Sequence, residues 1–145
     1  MSTTRTYVDA PPEAVFDVLA DPDSYGHWVV GSTRIRDADR DWPAKGTKFH
    51  HTIGVARLTI SDHTESLEAD PPRRLKLRAK GRPLGTATVT LELEPRDGGT
   101  LVRMTESPAG LTAVLSFNPL VHIFTKARNA ESLMRLEELA LRRAP

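Results

Sequence analysis

Residues 9–31, Asp-Ala-Pro-Pro-Glu-Ala-Val-Phe-Asp-Val-Leu-Ala-Asp-Pro-Asp-Ser-Tyr-Gly-His-Trp-Val-Val-Gly, constrain the fold of this chain more than any other stretch. They carry two helix starts in quick succession, directly after one short strand. Pro12 suits a first helical turn, where a missing N–H costs nothing, and Glu13 beside it favours the positive end of the helix dipole. Val15, Val18 and Leu19 then share one helical face. Pro22 ends that helix, and Asp21 is placed to cap the next one, which closes near Trp28. One strand, two short helices and then a long run of strands predict an open cup rather than a solid core. Such a cup implies a ligand pocket without naming the ligand.

The remaining elements follow from alternation and punctuation. Thr3–Asp9 reads as the first strand and Ser32–Arg40 as the second. A turn at Trp42-Pro43-Ala44-Lys45-Gly46 precedes strands over Thr47–Val55 and Arg57–Ala69. After Asp70-Pro71-Pro72, Arg74–Lys80 alternates with Leu75, Leu77 and Ala79 on one face. Gly81-Arg82-Pro83 is a turn, and Leu84–Glu94 places Ala87, Val89, Leu91 and Leu93 together. Asp97-Gly98-Gly99 reads as a hairpin turn before the last strand, Thr100–Glu106. Pro108 is expected to break the sheet, with Leu111–Phe117 forming a short helical or irregular lid. Leu120–Arg142 reads as one long helix, and its apolar face is broader than a surface helix needs. These elements predict an α+β domain: a curved sheet of six or seven antiparallel strands wrapped around a single C-terminal helix.

Composition narrows the setting. A chain of 145 residues without repeats or linkers reads as one domain over 1–145 and is long enough to bury a core unaided. It has no cysteine, which removes disulfides, thiolate metal sites and cysteine nucleophiles. No run approaches the ~20 apolar residues of a membrane span, and the N-terminal residues lack the apolar stretch of a signal peptide. A cytoplasmic location is expected. A net charge of +1, with the arginines scattered, speaks against a nucleic-acid partner.

Several segments together resemble the polyketide cyclase/dehydrase and lipid-transport superfamily, the SRPBCC or START-like proteins. They are Val8-Asp9-Ala10-Pro11-Pro12-Glu13-Ala14-Val15-Phe16, Leu19–Tyr25 with Trp28, Gly46-Thr47-Lys48-Phe49, Glu68–Leu75 and Gly98–Val102. Arg128–Leu136 is similar to the family's last helix. The resemblance spans nearly the whole chain, through turns and core positions. It implies the helix-grip fold, with a hydrophobic pocket between sheet and helix. It implies no catalytic set, because the family has no universal one.

The candidate chemistry is sparse. Phe49, His51 and Ile53 alternate onto one face of the third strand, which aims His51 at the pocket, where an imidazole can exchange a proton near neutral pH. Val102, Met104 and Glu106 alternate likewise, which aims Glu106 at the pocket mouth. His51 and Glu106 would act as an acid/base pair only within hydrogen-bond reach of each other. Leu58, Ile60, Leu77, Val89 and Met104 are expected to line the apolar wall. Phe117 is expected in the lid, and Leu120 and Phe124 on the wall from the start of the long helix. Trp28 is either a ligand platform or a plug between the short helices and the sheet. Arg128 falls on the polar side of the long helix, where an ion pair to the sheet is expected. His50 and His51 point to opposite faces, and His63 and His122 lack a partner at ligand spacing, so neither a metal nor a cofactor is expected. No nucleophile elbow, phosphate loop or dinucleotide fingerprint is present, and Ser116 reads as structural.

The leading expectation is a module that binds a small hydrophobic or amphipathic molecule, such as a lipid, polyketide or aromatic metabolite. A cyclase or dehydratase acting through His51 or Glu106 is the alternative, and a protein-interaction domain the weaker one. The sequence leaves monomer and homodimer both open.

Overall fold

The computed structural model describes residues 2–30, 32–55, 58–81, 85–110 and 118–144. Side chains are described for all of these except 33, 36, 53–55, 58–60 and 81. Strand β1 (Ser2–Val8) leads into α1 (Pro12–Leu19), a 3-10 turn (Pro22–Ser24) and α2 (Tyr25–Trp28). Six strands follow: β2 (Ser32–Ala38), β3 (Lys48–Val55), β4 (Leu58–Asp70), β5 (Arg74–Gly81), β6 (Gly85–Arg96) and β7 (Gly99–Ala109). Helix α3 (Pro119–Arg143) closes the chain. All seven described strands form one antiparallel sheet in the order β1-β7-β6-β5-β4-β3-β2. The helix-grip architecture expected from the sequence is therefore present.

Local chemistry accounts for the boundaries. Pro12 sits at the first position of α1, and Asp21 Oδ1 accepts a hydrogen bond from the Asp23 N–H at 3.1 Å to cap the 3-10 turn. Asn118 caps α3 in the same way, its side chain accepting from the Leu120 N–H at 2.9 Å. Asp97 and Gly98, both with positive φ, form the two-residue β6–β7 hairpin loop. Gly99 follows, pressed against the Val8 carbonyl and the Tyr7 hydroxyl, so that no side chain fits there.

One expectation fails: Pro108 does not break the sheet. It lies inside β7, directly opposite Ala87 of β6. Pairing between β1 and β7 ends at Ser2 opposite Glu106, so among the described residues β7 is bonded on one side only at Pro108. A proline's missing N–H is harmless on such a locally free edge.

The core lies between the inner face of the sheet and α1, α2 and α3. Leu75, Leu91 and Met104 stand in one row across β5, β6 and β7, all buried. Val15, Val18 and Leu19 of α1 are fully buried, as are Leu133, Leu136 and Ala140 of α3. Beside them sits a cluster of aromatic rings centred on Tyr25. Its ring centroid is 5.1 Å from that of Trp28, 5.8 Å from Trp42 and 4.7 Å from Phe49. The Leu19 carbonyl accepts hydrogen bonds from both the Tyr25 hydroxyl (2.7 Å) and Trp42 Nε1 (3.0 Å). That pair of hydrogen bonds to one carbonyl ties the end of α1 to the residues around α2. No helix among the described residues is long and apolar enough to cross a membrane.

Candidate functional site

Beyond the core the inner face of the sheet changes character. Strand alternation points Ala79, Ala87 and Val89 inward, yet they are only half-buried, whereas Leu75, Leu77 and Leu91 on the same face are buried. Ala79 stands directly opposite Ala87, and Ala87 opposite Pro108. These small side chains make a shallow, half-buried floor.

A polar cluster borders this floor. Glu106 lies opposite Val89 on one side and Ser2 on the other. Directly opposite residues project to the same face, so Glu106 points inward toward α3. There Arg128 Nη2 donates to both of its carboxylate oxygens, at 2.8 and 2.7 Å, and Asn129 Nδ2 donates to Oε2 at 3.0 Å. The Glu106 side chain is 12 % exposed and that of Arg128 32 %. This is the ion pair to the sheet expected for Arg128. Ser2 Oγ and Thr4 Oγ1, on the inward face of β1 beside this cluster, are buried without a hydrogen-bond partner among the described residues. Buried polar atoms are rarely left so.

His51 and Asp62 hold the opposite flank. They face each other across β3 and β4, and both are buried. The Phe49 ring lies 5.8 Å from the His51 ring. Asp62 also accepts from the His63 backbone N–H at 2.9 Å. Strands β4, β5 and β6 separate His51 from Glu106, which amounts to four strand spacings, ~19 Å along the sheet. The structure therefore does not bring His51 and Glu106 together as an acid/base pair. Each has another neighbour instead: Asp62 for His51, Arg128 and Asn129 for Glu106.

The other sequence-predicted residues divide into groups. Trp28 is 1 % exposed and packs within the aromatic cluster, its Nε1 buried with no partner among the described residues. Phe49, Leu77 and Met104 belong to the buried core, and Val89 lies on the floor. The side chains of Ile53, Leu58 and Ile60, and the whole of Phe117 with the expected lid, lie outside the described residues. Leu120 and Phe124 are exposed, because the phase of α3 turns them away from the sheet. Counting back in fours from buried Leu133 and Asn129 leads to Thr125 and Val121, both half-buried, as the residues that face inward. Sequence reasoning missed Asn129, Asp62 and the Ala79–Ala87 pair. Asn129 was detectable from its spacing to Leu133 and Leu136.

Among the described residues, no three His, Asp or Glu side chains are grouped to hold a metal ion. A groove of about 390 Å³ near the β4–β5 turn is lined by Asp70, Glu92 and Glu94 together with Arg73, Arg74 and Arg103. Its balanced charges and open position set it apart from the inner face.

An antiparallel sheet gripping one long helix, with a small-residue floor bordered by buried polar groups, defines an α+β protein of the helix-grip class. The chain belongs to the polyketide cyclase / dehydrase and lipid transport family, whose model matches residues 2–140. No curated protein matches it in sequence. Solved structures share its fold. TTHA0849 from Thermus thermophilus is 19% identical with a TM-score of 0.75, covering 96% of this chain and 95% of its own. Ara h 8.0201 is 16% identical with a TM-score of 0.74, covering 97% and 96%. StfQ, a di-domain ARO/CYC from the steffimycin biosynthetic pathway, is 9% identical with a TM-score of 0.74; the match covers 98% of this chain and 50% of StfQ.

Proposed function

We propose that this chain, as one domain over residues 1–145, binds a small hydrophobic or amphipathic molecule between β5–β7 and the N-terminal half of α3. The observation that carries this reading is the half-buried Ala79–Ala87–Val89 floor running up to Glu106, Arg128 and Asn129. An apolar body would lie on the floor. A hydroxyl or carbonyl at its end would meet Arg128, whose side chain is 32 % exposed, beside Glu106. Pockets that bind small molecules commonly combine a largely apolar lining with a few polar groups that fix orientation. Burying ~300 Å² of apolar ligand surface at ~25 cal/mol/Å² yields ~7 kcal/mol, and association costs reduce this, so that Kd is micromolar or weaker.

Native mass spectrometry of freshly purified protein tests this directly. The expected result is a retained lipid or aromatic molecule, or saturable binding of the fluorescent probe N-phenyl-1-naphthylamine by stripped protein. Absence of both would reject the reading. A cyclase or dehydratase is the second reading, and the buried His51–Asp62 pair favours it, since a carboxylate beside an imidazole suits general acid/base work. In that case His51→Ala would abolish turnover and spare probe binding.

A further inference from the structure

Helix α3 has a second apolar face. Its inner face presents Asn129, Ser132, Leu133, Leu136 and Ala140, all buried. On the opposite side Leu120, Ala127, Met134 and Leu141 recur at seven-residue intervals, with Ile123 and Ala130 between them and Phe124 alongside, all exposed. The large ones are far from covered: Leu120 is 75% exposed, Ile123 63%, Phe124 67%, Met134 57% and Leu141 44%. Such spacing is the seam of a helix that packs along another helix. The stripe runs about 32 Å from Leu120 to Leu141. It presents roughly 500 Å² of apolar surface, toward the top of what a monomer leaves bare.

We propose that this face is the interface of a homodimer in which the α3 helices of two copies pack antiparallel. A two-fold axis crossing the outer face at the height of residue 132 sets Ile123 of one copy level with Leu141 of the other, and Ala130 level with Met134, so that large side chains meet small ones or fill the ends. The same axis brings Lys126, on one flank of the stripe, beside Glu137 of the second copy, twice by symmetry; Glu137 follows Ala130 by seven residues and ends the Ile123–Ala130 row. A parallel two-fold places this flank of the two copies on opposite sides of the seam and forms no Lys126–Glu137 pair. The other flank is already internally paired: Arg135 Nε lies 3.1 Å from Glu131 Oε1. An isologous contact of this kind closes on itself and leaves no free seam. With its charged flanks the face approaches the ~800 Å² per partner of a specific interface. The ligand site on the inner side of the helix is untouched, so the inference stands apart from the function proposed above.

Sedimentation equilibrium and light scattering on the full chain provide the test. The wild type should weigh twice its 16.0 kDa chain mass. Ile123→Glu with Met134→Glu should yield a monomer with an unchanged circular dichroism spectrum. Lys126→Glu should weaken association about tenfold, the order expected for one lost charge pair per site, and Lys126→Glu with Glu137→Lys should restore it. A wild type that stays monomeric at its highest soluble concentration overturns the proposal. So does a dimer indifferent to both glutamate substitutions. Sedimentation of the monomer with phosphatidylglycerol vesicles would assign the face to a lipid surface instead and would equally overturn it.

Discussion

One guanidinium nitrogen of Arg128 reaches both carboxylate oxygens of Glu106, at 2.8 and 2.7 Å, and so ties α3 to β7 beside the helix's buried Asn129. The pair is partly solvated, so its Coulomb energy is screened. The hydrogen bond from Asn129 is not, because that residue is 1% exposed. Glu106→Ala strands the Asn129 amide and should cost ~2 kcal/mol in urea unfolding. Glu106→Gln keeps an acceptor for Asn129 and should cost less than half as much. Equal losses in the two variants would show that charge, rather than the buried amide, governs this contact.

Tyr25 provides a pH-dependent prediction. Burial drives its phenol far above the ordinary value of 10.0; the hydrogen bond with Trp42 opposes this and the charge of Asp21 adds to it. The raised value means that the folded state holds its proton where the unfolded chain releases it. Stability from this group is therefore complete below pH 10 and declines as pH rises beyond it. In a Tyr7→Phe background, where Tyr25 is the remaining tyrosine, phenolate absorbance should appear only together with loss of the circular dichroism signal. A phenolate titrating in fully folded protein near pH 10 would contradict the buried placement.

His63 behaves in the opposite sense. Burial, with Lys80, Lys48 and His50 adding to it, lowers its pKa below 6.5, and Asp62 only partly compensates. The unfolded chain then binds a proton more readily than the folded one. The wild type should keep its full stability above pH 6.5 and lose part of it as pH falls through the folded value. His63→Gln should flatten that acid limb of the curve. An unchanged slope between neutral pH and pH 5 would remove His63 from the account.

The fold was readable from the chain because punctuation and alternation agreed: Pro12, Pro22 and Asp97-Gly98 mark boundaries that the structure keeps. Pro108 misleads, since its tolerance depends on where β1 stops pairing, a relation set about 100 residues away in the sequence. The candidate site was less legible. Helix α3 is apolar on two sides, and its inner stripe carries polar Asn129 and Ser132. Hydrophobic periodicity alone therefore selects Leu120 and Phe124 where the structure turns Val121 and Thr125 inward. Asp62 meets His51 only through the β3–β4 register, which no local pattern encodes.

Ala87 offers the sharpest test of the floor. It projects inward, half-buried, diagonal to Glu106, while Thr88 next to it projects to the outer face of the sheet. Ala87→Phe should place a ring in the space above the floor and reduce N-phenyl-1-naphthylamine affinity at least tenfold, about 1.4 kcal/mol. Because Ala87 is only half-buried, the added ring has a solvent side to turn to, and the melting temperature should change little. Thr88→Phe adds the same ring one residue away on the other face and should leave affinity as it is. Matching affinities for the two variants would mean that the probe binds elsewhere, and a loss confined to Ala87→Phe assigns it to the inner face.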